Sequence, residues 1–282
     1  MRKKNDSGIK YIGKGIAIVY EDKDLLVIDK PEGLLTVATE REKDRTAHAL
    51  ITDYIRRGCG RSQKRIYVVH RLDRETSGLL IFAKSEEVKF RLQARWKEND
   101  KKYLTIVHGT CEKDSGTISS YLAEDSAYNV YSTPDSTKGK LAQTEYRVLK
   151  RAKNYSLLEV TLLTGRKNQI RVHFAGIGRP IVGDTKYGHE NDSQPRMALH
   201  ARALSFRHPF TGKTLSFTSE IPEFFTTLVG KIEQAGIVMS GTSEKASVSR
   251  KHEETLHPSP QPSPARGEGA FSSSPHRGRG RR

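Results

Sequence analysis

The strongest constraint on this chain is a series of short apolar, β-branched runs cut apart by polar turns. IAIVY at Ile16–Tyr20 and LLVID at Leu25–Asp29 flank the turn-like EDKD, and Pro31 with Gly33 ends the second run. IYVV at Ile66–Val69, LLIFA at Leu79–Ala83, YLTIVHG from Tyr103, TEYRVL from Thr144 and SLLEVTLL from Ser156 follow, and ALSF and TLSF face each other across RHPFTGK. Runs of this length bounded by turn formers predict strands. Helical spacing is confined to fewer stretches. Thr46–Arg57 places Ala47, Leu50, Ile51, Tyr54 and Ile55 on one face, and Ser85 with Glu86 and Glu87 opens a second helix with Val88, Leu92 and Trp96 on one stripe. TGRKNQIRVHF and IPEFFTTLVGKI read as two more. No internal repeat is present. Strands outnumber helices and pair mostly with sequence neighbours, which predicts an α+β domain with a largely antiparallel sheet.

Charge narrows the partners. With 49 Lys and Arg against 33 Asp and Glu, the 282 residues carry +16, a balance that attracts RNA, DNA or an anionic membrane. The membrane reading weakens because no run of about 18 apolar residues exists and the start, MRKKNDSGIK, lacks the apolar stretch of a secretory signal. A cytoplasmic protein is expected. Cys59 and Cys111 stand alone, without a CxxC or a Cys/His cluster at zinc spacing, so neither a disulfide framework nor a metal site is expected.

The ends differ from the middle. Residues 1–15 read as a flexible basic N-terminus, residues 16–236 as the folded domain and residues 237–282 as a disordered tail. From Gly241 the text is Ser-, Pro-, Gly- and Arg-rich with almost no large apolar residue, and burial cannot offset its ordering entropy. The tail holds eight Lys/Arg against four Asp/Glu, so +12 of the +16 belongs to residues 1–236.

Between two predicted buried strands lies the polar connection HRLDRETSG, His70–Gly78. Rigid flanking strands can hold a loop side chain in place for chemistry. Asp73 is the residue of interest. An Arg within about 4–6 Å would hold its carboxylate ionised as a nucleophile or base; the plainer alternative is a turn cap, or a pair with Arg71 or Arg74. TGRKNQIRVH sets Arg166, Lys167 and Arg171 near one helix start, which suits phosphate contact or, equally, a solvated basic face.

HRLD followed by TSGLLIFAK resembles the catalytic segment of the RluA-type pseudouridine synthases. EDKDLLVIDKPEGLLTV, KKYLTIVHG, TLLTGRKNQIRVHFAGIGRPIVGDTKYG and ALHARALSFRHPFTGK resemble that family in the same order, from about Ile16 to Phe224. The resemblance implies a pseudouridine synthase-like catalytic domain with a mixed, largely antiparallel sheet, flanking helices and a central cleft. It implies an RNA isomerase that needs no cofactor and no metal, works as a monomer, and acts on 23S ribosomal RNA or, as the second choice, transfer RNA. Carried over by position, the catalytic carboxylate falls on Asp73, the base-stacking aromatic on Tyr103 and the Asp-pairing Arg on Arg171. Arg71 matches an Arg implicated in base extrusion, and Arg166, Lys167 and Gln169 fall in the RNA-facing segment.

The residue types suit the reaction. Breaking a uridine N-glycosidic bond needs a carboxylate near sugar or base, by attack on the base, attack on the anomeric carbon or proton removal from the ribose. Unstacking the uridine costs about a few kcal/mol, part of which an aromatic such as Tyr103 returns by stacking. One position departs from the pattern: Asn168 stands where the family usually has His, which puts local substrate contacts in question. His70, His173 and His200 read as structural or RNA-facing groups. Two rival readings are a noncatalytic RNA-binding module of the same fold, and an N-glycoside hydrolase with Glu75 as the nearest second carboxylate.

Overall fold

The computed structural model describes residues 10–40 and 42–232. The run LLIFA lies within β5 (Ser77–Ala83), which is buried along its whole length, as a continuous apolar run requires. β3 (Leu25–Lys30) shows the period of two: Leu26 and Ile28 enter one apolar cluster, Leu25 and Val27 the other. The sheet is therefore covered on both faces. α1 (Ala47–Arg56), α3 (Gln169–Gly176) and α4 (Glu223–Val229) pack Ile51, Phe174 and Phe225 onto the first face, and α2 (Glu86–Ala94) packs Val88 and Leu92 onto the second. Each such buried side chain contributes about 1.5–3 kcal/mol.

The remaining strands are β1 (Lys10–Ile12), β2 (Ile16–Glu21), β4 (Tyr67–Val68), β6 (Asp100–His108), β7 (Ser115–Glu124), β8 (Val130–Thr133), β9 (Lys140–Arg151), β10 (Tyr155–Leu162), β11 (Leu199–Arg207) and β12 (Thr214–Thr218). They form one twelve-stranded sheet in the order β1-β2-β3-β5-β11-β6-β10-β9-β7-β8, with β4 on β5 and β12 on β11. All pairings are antiparallel except β5 with β11, a short parallel contact through Ser77 with His200 and Gly78 with Ala201. The α+β expectation holds.

Several local expectations need correction. Lys10–Ile12, inside the stretch expected to be a flexible N-terminus, pairs with β2. The run at Ile66–Val69 yields only two paired residues, since its far end turns into the polar loop. The helix expected from Thr164 begins at Gln169, after a turn through Arg166 to Asn168. Trp96 continues the stripe of α2 in a separate 3-10 turn, Trp96–Glu98. β7 and β8 were not expected. The middle of the sheet is joined by strands far apart in sequence, β3 with β5, β5 with β11 and β11 with β6. The tail at 237–282, the first nine residues and residues 233–236 of the expected domain lie outside the described residues.

Candidate active site

The loop from His70 to Thr76 is tied down from four directions. Thr36 Oγ1 donates to Leu72 O at 2.8 Å and accepts from Leu72 N at 3.2 Å. The fully buried Lys30 ammonium donates to Leu34 O at 2.8 Å, Pro31 O at 2.9 Å and Arg74 O at 3.2 Å. Burial pushes that lysine down to about 7, although Glu75, Asp73, Glu32 and Asp29 pull the other way. His70 stacks 4.5 Å from Trp96, and its Nε2 accepts from Ile81 N; burial, with Lys101 adding, drives it down to about 3, so it is a neutral acceptor. At the loop's end Ser77 Oγ meets His200 Nδ1 at 2.8 Å. Gly78 follows at φ +110, where a Cβ would lie 2.3 Å from Ala201 O, so only glycine lets β5 and β11 approach.

The tethered loop presents Asp73 to Arg171, Nη1 to Oδ2 at 3.3 Å. Arg171 is itself anchored by Asp184: Nη2 reaches Oδ1 at 2.7 Å and Nε reaches Oδ2 at 2.8 Å, a bidentate pair with the Asp184 side chain wholly buried. Glu75 Oε2 lies 3.8 Å from Arg171 Nη1. One guanidinium therefore serves three carboxylates. Burial alone would lower the pKa of Arg171, but the hydrogen bonds and charge of Asp184, then Asp73 and Glu75, raise it overall.

The two aspartates respond in opposite senses. Burial raises Asp73, and the charge and hydrogen bond of Arg171 offset only part of this, while Glu75 and Asp184 add to the rise. Burial also opposes ionisation of Asp184, but two bonds from Arg171 and the N–H groups of Tyr187 and Lys186 leave its carboxyl below the usual range. Arg171 at 3.3 Å thus moderates Asp73 without holding it at or below the ordinary carboxylate value.

Tyr103 sits on β6 at the centre of the sheet, paired with Val160 on β10 and Ala201 on β11. It is 9% exposed. Burial, then the charge of Asp73, raises the phenol above its ordinary range, so it stays protonated. Asp73, Tyr103 and Arg171 all line one cleft of about 490 Å³, together with Arg71, Trp96 and Lys101. Asp73 is 32% exposed there and Arg171 7%, which leaves the carboxylate the more accessible of the pair.

Comparison with known proteins decides the family. The profile of the RNA pseudouridylate synthase family matches residues 24–176, a span that includes Asp73, Tyr103 and Arg171. The chain belongs to that family. As an RluA-type RNA pseudouridine synthase it is 34% identical to the "Dual-specificity RNA pseudouridine synthase RluA" of Haemophilus influenzae, over 72% of this chain and 92% of that protein. It is also 34% identical to the "Ribosomal large subunit pseudouridine synthase D" of Zymomonas mobilis, over 74% and 70%. Among solved structures, human RNA Pseudouridylate Synthase Domain Containing 4 superposes with a TM-score of 0.62 at 25% identity, covering 74% of this chain and 90% of that one.

The expected RNA-facing residues of this pseudouridine synthase divide. Arg71 and Arg166 are exposed and line the cleft. Lys167 lines it too, but its ammonium is held by Glu124 and by Tyr128 O. Gln169 lines the cleft as well, but it is 2% exposed and its amide is engaged inside the protein. Its Oε1 accepts from Thr164 Oγ1 and Arg166 N, and its Nε2 donates to Gln143 O and Thr144 Oγ1. It shapes the turn that carries Arg166. Asn168, the departure from the family pattern, caps α3 at φ 53, a left-handed conformation that Asn tolerates well, and donates to Tyr187 Oη at 3.1 Å.

Sequence reasoning missed the residues that hold the others. Those missed are Lys30, Thr36 and Asp184, which act through buried contacts, whereas His173 and His200, expected as structural or RNA-facing groups, are internal and bonded to Thr144 and Ser77. Only Asp184 carried a local signal, a Gly-Asp step before two residues whose N–H groups cap it, Lys186 and Tyr187. Among the described residues no helix is long and apolar enough to cross a membrane.

Proposed function

We propose that Asp73 is the carboxylate that opens the uridine N-glycosidic bond, with Arg171 orienting it and Tyr103 stacking on the extruded base. The observation that carries this reading is one tethered, partly exposed carboxylate 3.3 Å from a guanidinium, in the cleft that Tyr103 lines. The bookkeeping of the reaction fits. The C1′–N1 bond breaks, the uracil turns within the cleft, C5 bonds to C1′, the C5 proton leaves and N1 gains a proton. Nothing is oxidised or reduced.

For the substrate we infer a structured ribosomal RNA, 23S in the first place and transfer RNA in the second. The Zymomonas mobilis relative, a ribosomal large subunit pseudouridine synthase, supports the first choice. RNA tritiated at uracil C5 tests the chemistry. Tritium release without free uracil is expected; free uracil would make the protein a hydrolase, and no release would leave a binding module. Mapping pseudouridines in a deletion strain tests the substrate, and an unchanged ribosomal map with a lost transfer RNA site would reverse the order.

A further inference from the structure

The segment joining α1 to β4 reads RRGCGRSQKR over Arg56–Arg65, five cations without a carboxylate. With β1 and the turn between β2 and β3 it encloses a groove of about 640 Å³, lined by Lys10, Lys23, Arg57, Lys64, Arg65 and Lys84. Glu21 is the one carboxylate among the lining residues. It is already engaged, accepting from Lys84 Nζ at 2.8 Å and Tyr54 Oη at 2.8 Å. Arg57, Lys64 and Arg65 are exposed and pair with no carboxylate among the described residues. The segment is shaped rather than loose: Arg56 Nε donates to Lys64 O at 2.9 Å, and Arg57 turns the chain at φ 54.

Like charges held together on a concave surface call for an anion, and the details say which kind. The helix end at this groove is the carboxyl end of α1, with Arg57 as its cap. It presents carbonyls, not the N–H groups that seat a compact phosphate. Side chains alone must neutralise the ligand, and they come from several separate elements. Lys23, on one edge, also lies 5.2 Å over the ring of Phe210, which Arg91 covers at 4.8 Å. Arg91, paired with Glu87, and Arg95, paired with Glu98, line a neighbouring groove with Arg207, Glu98 and Asp100, so its charge is mixed and the concentrated positive surface is that of the first groove. Cations contributed by several elements along the first groove match successive phosphodiesters, not a single ion.

We propose that the groove between α1, the Arg57–Arg65 segment and the β2–β3 turn binds the sugar-phosphate backbone of the substrate RNA, away from the target uridine. The proposal rests on the RNA reading of the cleft. None of its residues lines that cleft.

The test is the full-length triple variant Arg57→Gln/Lys64→Gln/Arg65→Gln, beside a control of equal charge, Lys113→Gln/Lys138→Gln/Lys153→Gln. Affinity for a labelled RNA stem–loop of about 30 nucleotides is measured against salt, where each lost phosphate contact flattens the log–log slope by about 0.7–0.9. The groove variant should flatten the slope by about two and weaken binding about tenfold or more near physiological salt, with the control moving less than half as much. Equal shifts in the two variants, or an unchanged slope, would overturn the proposal. So would unchanged RNA binding together with lost binding to phosphatidylglycerol vesicles, which would give the groove to a lipid surface. Pseudouridine formation in total RNA is assayed in parallel. A wild-type protein with a groove-dependent slope and no product would support the groove while removing the catalytic reading.

Discussion

Arg171 meets Asp184 through two parallel hydrogen bonds, at 2.7 and 2.8 Å, and leaves Nη1 to reach Asp73 at 3.3 Å. The guanidinium is thus fixed by the buried aspartate and lent to the accessible one. That division predicts how each member responds to change.

Substituting the two aspartates should give opposite stability signatures. Asp73 has a folded pKa raised by burial, so its ionised form burdens the fold. The burden begins as pH rises through the ordinary carboxylate value and is complete above the raised one. Asp73→Asn should therefore melt at or above wild type at pH 7, with the gain fading in acid, and should form no pseudouridine. Asp184 has a lowered pKa, so its stabilisation is present above the ordinary value and lost as pH falls through the lowered one. Asp184→Asn should melt below wild type at pH 7, with a deficit that shrinks in acid. Melting curves at pH 7 and pH 4 check both signs, and a falling Asp73→Asn curve at pH 7 sinks the first.

Arg171→Lys keeps a cation but cannot span both carboxylates in a fork. The shorter ammonium stays with the buried Asp184, so Asp73 loses its hydrogen bond and faces a more distant charge; the acidic limb of kcat/KM should move to higher pH and turnover should fall about tenfold or more. An unmoved limb would dissolve the pair. Arg171→Ala should cost about 3–5 kcal/mol of stability, because Asp184 is left buried and uncompensated.

Tyr103→Phe preserves the ring at the sheet centre and should melt near wild type, while turnover falls about 100-fold if the hydroxyl helps move a proton. Tyr103→Ala removes the ring and should cost about 3–5 kcal/mol as well as activity. Wild-type turnover in the alanine variant would end the stacking assignment.

Gly78→Ala tests the frame. Its Cβ would meet Ala201 O, Ala201 N and Ala201 C at 2.3, 2.7 and 2.8 Å, all backbone, at a φ that L residues avoid. The β5–β11 contact should part, lowering the melting temperature and turnover together. A variant that melts and turns over normally would show the two strands free to move aside.

How much of this was legible depended on distance along the chain. The strand pairs β2–β3, β9–β10 and β11–β12 join neighbours, and their apolar runs and turns announce them. β7, SGTISSYLAE, is mostly polar and half exposed, so it carried no apolar signature. β1 is three residues long and is made a strand by its pairing with β2. The site shows the same contrast. Asp73, Tyr103 and Arg171 stood at positions where the family-like strings imply a role; Thr36 and Lys30 stood in such a string too, but their work shows only in the fold, where they bond backbone oxygens contributed by another segment. Gln169 shows why: a polar residue beside cations looks solvent-facing in sequence, and its four internal partners come from the fold.

The place of β11 in the sheet also governs the order in which the molecule can be made. A growing chain that has not reached Leu199 leaves β6 without one of its two neighbours and the Ser77–Gly78 end of β5 open on the side away from β3, a pair of bare strand edges available for intermolecular pairing. Arrival of residues 199–207 closes both edges in one event and brings Ala201 against Tyr103 and Gly78. During synthesis, the step that covers these edges is the same step that brings Leu199 to the cleft lined by Asp73 and Tyr103.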